Sequence, residues 1–236
     1  LIIGDENGAN YLMHIWNGGP GVHIDTGTIG SLGAYQNTSG GTFFSSPLGQ
    51  TLGRGLDNDT AKITYISPRL FGIQMGISYS PRYTQDTNTA LNTAVPHNGW
   101  DGSLQYKTEV EGVGIALQGG YKFAHGQDAI SAASDDSDFN MWKVGGQFSY
   151  AGFKLGANYA NQTSGFAAAN NSIKGHSYLV SGSYGAGPWA AGVSYFHGEA
   201  EDLETVAGND EHDKFMVDGR YTLGPGVNLV GGVFTF

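Results

Sequence analysis

The sequence predicts an all-β fold, an antiparallel transmembrane β-barrel, on three observations. Apolar residues recur with period two in nearly every segment. Very short and long connections alternate along the chain. The composition is lightly charged and rich in glycine and aromatics: 14% charged residues, 39 Gly and 12% aromatics in 236 residues. A soluble domain carries about 25% charged residues, so this chain has too few to coat a water-facing surface. Disorder calls for many charges and few aromatics, and a helical bundle for Ala, Leu, Glu and Lys; neither suits. No run of 18 apolar residues occurs, so the sequence predicts no transmembrane helix.

Taken in order, Leu1 to Ile3 read as the end of a strand. Residues 10–57 follow as a long segment rich in Gly, Ser, Thr and Asn, with Ile15, Trp16, Ile29, Leu32, Phe43 and Phe44 as apolar residues able to pack on something. From Ala61 onward ten strands are expected. Ile73, Met75, Ile77 and Tyr79 alternate with Gln74, Gly76, Ser78 and Ser80. Trp100, Leu104 and Tyr106 oppose Asp101, Ser103, Gln105 and Lys107. Val113, Ile115, Leu117, Tyr121 and Phe123 oppose Ala116, Gln118 and Lys122. Trp142, Val144, Phe148 and Tyr150 oppose Met141, Lys143, Gln147 and Ser149, and Phe153, Leu155, Ala157 and Tyr159 oppose Lys154, Gly156 and Asn158. The same pattern runs through 178–184, 189–195 and 215–221. Successive side chains of a strand point to opposite faces, so each segment has one apolar and one mild polar face.

The short connections are 68–71, 110–112, 151–152, 185–188 and 224–226; the long ones are 81–98, 125–138, 161–175 and 197–213. Short turns at one end and long loops at the other are the asymmetry of a membrane barrel. Tyr and Trp favour the membrane–water boundary because one end of the ring is apolar and the other hydrogen-bonds water. The pairs Tyr65/Tyr79, Tyr106/Tyr121, Tyr150/Tyr159 and Tyr184/Tyr195 read as brackets around the short turns, forming such a girdle. The expected count is about eleven strands. The whole is read as one barrel domain, 1–236, truncated at both ends, with residues 10–57 as an inward-folded loop within it.

Several classes of function are disfavoured. Net charge is −10, opposite to the basic footprint that nucleic acid needs. Cysteine is absent, which removes disulfides and thiolate chemistry. No Gly-x-Ser-x-Gly, His-Glu-x-x-His or phosphate loop appears, so no enzyme and no cofactor is expected. Carboxylates and histidines between His197 and Asp213 offer metal ligands, but no calcium-loop spacing organises them. They are read as a solvated loop, and no metal site is assigned.

The run 62–79, Lys-Ile-Thr-Tyr-Ile-Ser-Pro-Arg-Leu-Phe-Gly-Ile-Gln-Met-Gly-Ile-Ser-Tyr, resembles the sixth and seventh strands of general bacterial outer-membrane porins. The turn 223–227, Leu-Gly-Pro-Gly-Val, is similar to a late hairpin of the Gram-negative, alpha-proteobacterial type. The resemblance spans nearly the whole chain, from about the family's fifth strand to its fifteenth. It implies a homotrimer of sixteen-stranded barrels in the outer membrane, in contact with lipid bilayer and lipopolysaccharide. It also implies a water-filled channel for passive diffusion of small hydrophilic solutes and ions, narrowed by 10–57 as the constriction loop. One departure is Arg69, where many relatives carry an acidic residue. The alternative reading is a plugged barrel that serves surface binding or adhesion.

Parity assigns the inward face. Lys62, Gln74, Lys107, Gln118, Lys122, Lys143, Gln147, Lys154, Lys214 and Arg220 fall on it and are expected to line the pore. A charge on the lipid face costs about 2–4 kcal/mol at the midplane, so inward placement suits any barrel. Asp25, Asp57 and Asp59 are assigned to the constriction loop or its end, opposite the basic wall. Acidic loops at the mouth predict a slight cation preference.

Overall fold

The computed structural model describes residues 1–21, 60–82, 97–125, 138–164, 174–201 and 209–235. Eleven strands form one antiparallel sheet in which each pairs with its sequence neighbours: β1 (Ile2–Glu6), β2 (Thr60–Ile66), β3 (Ile73–Arg82), β4 (His97–Val110), β5 (Val113–His125), β6 (Phe139–Tyr150), β7 (Phe153–Ser164), β8 (Gly175–Ala186), β9 (Trp189–Glu201), β10 (Asn209–Gly224) and β11 (Val227–Thr235). The expected count of about eleven holds.

The hairpins follow from the turn chemistry. Val110 pairs with Val113 across Glu111–Gly112, and Tyr150 with Phe153 across Ala151–Gly152. Both central residues of each turn have positive φ, 52° and 79° in the first, 48° and 88° in the second. This is the two-residue turn whose twist matches a right-handed hairpin, and it is why glycine stands second.

Register sorts the side chains as parity predicts, and the sorting is inside out relative to a soluble protein. One face carries Thr64, Ser78, Asp101, Gln105, Gln118, Lys143 and Asn158, all buried. The other carries Ile63, Met75, Ile77, Leu104, Leu117, Val144, Leu155, Val180, Val193 and Val217, all exposed. Leu117 is 52% exposed and its neighbour Gln118 6%. A continuous apolar band across every strand is far larger than the few hundred Å² a soluble monomer tolerates; it requires lipid.

Aromatics form two rows on that outer face. Near the short turns stand Tyr106, Tyr150, Phe153, Tyr184, Trp189 and Tyr221, with Phe153–Tyr184 and Trp189–Tyr221 ring centroids 4.5 and 4.3 Å apart. Toward the long connections stand Tyr79, Trp100, Tyr121, Trp142, Tyr159, Tyr178 and Tyr195. The tyrosines expected to bracket the short turns do not all lie beside them. Tyr79, Tyr121, Tyr159 and Tyr195 belong to the far row, six or more residues up the strand from the turn. Two rows separated by the strand's apolar span are what two membrane interfaces demand.

The long connections are also shorter than alternation suggests. β9 continues to Glu201 and β10 begins at Asn209, so Glu199, Glu211 and Asp213 stand on strands and not in a loop. β7 likewise continues to Ser164. About 9–11 tilted residues cross a bilayer, whereas β10 has 16. The surplus projects beyond the apolar layer, where both faces can be polar and alternation no longer marks a strand.

Candidate functional site on the inner face

After β1 the chain turns onto the inner face. A single helical turn, α1 (Ala9–Leu12), opens a segment that runs to Gly21. The segment crosses the sheet strand by strand. The Ala9 amide donates to Ser78 Oγ on β3 at 2.8 Å, and the Asn10 amide to Asp101 Oδ1 on β4 at 2.8 Å. The Ile15 amide donates to Gln118 Oε1 on β5 at 2.5 Å. Asn17 Nδ2 lies 2.9 and 3.1 Å from the carbonyls of Gly146 and Ala157 and 3.0 Å from Asn158 Oδ1, while its Oδ1 accepts from Gln147 at 3.0 Å. The Gly21 amide donates to Asp218 Oδ2 on β10 at 2.6 Å. Wall side chains thus supply acceptors for amides that no ladder satisfies.

Small residues on the wall make room for this path. A Cβ on Gly76 would meet Met13 Sδ at 2.6 Å; on Gly120, Asn10 Oδ1 at 2.0 Å; on Gly156, Asn17 Oδ1 at 2.0 Å; and on Gly192, the Pro20 ring at 2.7 Å. Four inward glycines on four strands form a bed for residues 9–20. Alternation puts Gly76 and Gly156 on the inner face but assigns the glycines no role. Their alternation was visible; what would lie against them was not.

All ten predicted wall residues share the inner face by register. They divide into two sets. Lys62, Gln118, Lys122, Lys143 and Lys214 are almost fully buried. Lys143 Nζ donates to the Asn10 carbonyl at 2.6 Å and lies 3.1 Å from His14 Nδ1. Lys62 Nζ donates to the Glu6 carbonyl. Lys214 Nζ stands 4.5 Å from the centre of the Phe196 ring, a cation–π contact. Lys122 is the register partner of Asp101. By contrast, Lys107, Lys154 and Arg220 are exposed, and Gln74 and Gln147 partly so. These five stand in the half of the wall nearer the short turns.

That half contains a cavity of about 500 Å³ beneath the inner segment, bounded by Trp16, Gly18, Gly19, Pro20, Glu109, Ser149, Lys154, Ser183 and Arg220. Arg69 adds a cation to the same end of the inner face. From the β2–β3 turn its guanidinium donates to Gln74 Oε1 at 2.6 Å and Gln105 Oε1 at 2.5 Å. Parity could not find it, because a turn residue has no strand face.

The inner face is not polar throughout. Ala124, Phe139, Met141 and Ala160 form one buried apolar cluster, and Leu179, Phe196 and Met216, packed with Phe234, form another. Alternation puts Met141 among the polar residues, whereas it is buried with apolar neighbours. Asp25, Asp57 and Asp59 lie outside the described residues, as does most of 10–57.

An antiparallel meander with a lipid-facing apolar band, two aromatic rows and a polar interior crossed by its own chain defines a transmembrane β-barrel of the outer membrane. The sequence family described as Gram-negative porin matches residues 1–235. The chain belongs to that family, whose members are generally channels for passive diffusion. No match was found among curated proteins.

Proposed function

We propose that the protein is a general diffusion pore for small hydrophilic solutes and ions, with residues 10–57 as its constriction loop and the inward Lys, Arg and Gln side chains as its wall. The observation that carries this reading is the position of residues 9–21. They lie across the inner face, bonded to β3, β4, β5, β6, β7 and β10, and leave a cavity of about 500 Å³ toward the short turns. A segment fastened at so many points narrows the lumen without needing an independent core. Lys154 and Arg220 border that space together with Glu109, so opposed charges act on a passing solute.

In this reading the working form is a homotrimer, seated in lipid and lipopolysaccharide through its outer face. The reading of a plugged barrel for surface binding draws on one observation, the near-complete burial of five of the ten wall side chains. Single-channel recording in a planar bilayer separates the two. Discrete, ohmic steps with a solute size cutoff support the pore; a folded protein that inserts without conducting supports the plug. Crosslinking in detergent tests the trimer.

A further inference from the structure

The outer face carries a cluster unrelated to the pore. His176 on β8 is the register partner of Glu199 on β9, and His197 stands two residues before Glu199 on the same face. One ligating atom from each of these three residues lies within 4.8 Å of the other two. His176 Nε2 and Glu199 Oε2 are 3.7 Å apart. Ligands held about 2.0–2.1 Å from a tetrahedral zinc lie about 3.3 Å from one another, so small side-chain rotations close the triad on an ion.

On His197 and Glu199 one further polar atom is already engaged. Asp213 Oδ1 lies 2.9 Å from His197 Nδ1, and accepts from Tyr195 OH at 2.5 Å. A carboxylate on one ring nitrogen sets the tautomer and leaves the other nitrogen's lone pair for a metal; such carboxylate–histidine pairs are the usual outer sphere of zinc sites. Asn209 Nδ2 donates to Glu199 Oε1, leaving Oε2 toward His176. The imidazoles are steadied by aromatic neighbours, His176 stacked 6.0 Å from Tyr159 and His197 5.1 Å from Tyr178. All three ligands are partly exposed. They sit just beyond the far tyrosine row, at the level where water and headgroups meet the wall.

We propose that His176, His197 and Glu199 bind one imidazole-preferring divalent cation, of which zinc is the representative, with Asp213 orienting His197. Two imidazoles and a carboxylate suit zinc, whereas calcium and magnesium prefer oxygen-only shells. A fourth position is left for water or a headgroup oxygen. The bound ion would clip β8 to β9 where their ladder leaves the membrane.

The test is a zinc titration of the intact protein, purified in detergent and stripped with chelator, read by calorimetry and by metal content after gel filtration. One zinc per chain is expected, undisturbed by equimolar calcium. His176→Gln and Glu199→Gln should each weaken binding at least tenfold. Asp213→Asn should weaken it by about 10–100-fold, as outer-sphere losses do. His125→Gln, which removes another outward histidine with an acidic neighbour, should change nothing. Cobalt in the unaltered protein should give the intense visible bands of a four-coordinate site, a readout independent of how the variants fold. Zinc binding indifferent to His176→Gln and Glu199→Gln, equal loss in His125→Gln, or a cobalt spectrum like that of the aquo ion would overturn the site.

Discussion

Asn17 lies directly over Gly156: a methyl group at position 156 would fall 2.0 Å from the Asn17 side-chain oxygen. The contact joins the inner segment to the barrel wall across 139 positions of sequence. Neither residue can change size without the other moving, so the pair reports on whether the segment keeps its seat.

Gly156→Val should therefore displace the inner segment while leaving the lipid face untouched. Overpacking of this kind costs about 1–3 kcal/mol, too little to stop a barrel from assembling. The expected outcome is a folded protein, recognised by its heat-dependent mobility in gels, with altered conductance and greater current noise. Wild-type traces from the folded variant would count against the bed of glycines.

Asn17→Ala removes one side chain that touches β6 and β7 at four points. Each net hydrogen bond contributes about 0.5–1.5 kcal/mol, so a loosening of a few kcal/mol is expected in the segment alone. Amide exchange should rise in residues 9–21 and stay unchanged in β6 and β7. Uniform exchange across the sheet would mean that the residue supports the barrel instead.

Leu117→Arg and Gln118→Arg should differ sharply. Leu117 faces outward and Gln118 inward, and an arginine on the lipid face costs about 2–4 kcal/mol near the midplane. The first variant should fail to assemble in the outer membrane; the second should assemble, with its effect confined to the pore because it disturbs the bond to Ile15. Equal yields of folded protein would disprove the assigned register.

Selectivity should respond to the basic side chains bordering the cavity. A Lys154→Gln, Arg220→Gln double variant removes two exposed cations next to Glu109. Screening acts over about 8–10 Å at physiological salt, so their field spans most of a narrow lumen. The reversal potential in a potassium chloride gradient should move toward greater cation preference. No movement would place those side chains off the conducting path.

Deleting residues 27–40, inside the proposed constriction loop, should raise conductance and the solute size cutoff in a barrel that still assembles. Their backbone would stand in a wet lumen, where its polar groups need no ladder. An unchanged cutoff in a folded deletion variant would locate the narrowing elsewhere.

The sequence by itself determined the sheet. Leu117 and Gln118 alternate, as do Trp142 and Lys143, and a strand leaves such neighbours no choice but opposite faces. Glu111–Gly112 and Ala151–Gly152 likewise encode their hairpins locally, through dihedral angles that few residues adopt. The split between lipid side and inner side, the strand order and the membrane class all follow from rules that act over one or two residues. Tertiary structure decided what depends on distance. The seating of Asn17 on Gly156 and the pairing of the Asn10 amide with Asp101 need residues far apart in the chain to meet in space. So do the burial of Lys143 and the meeting of His176 with His197 and Glu199. Alternation names a residue's face but not its neighbour on that face. It also falls silent where β9 and β10 rise beyond the bilayer, because a strand wetted on both sides has no apolar period to display.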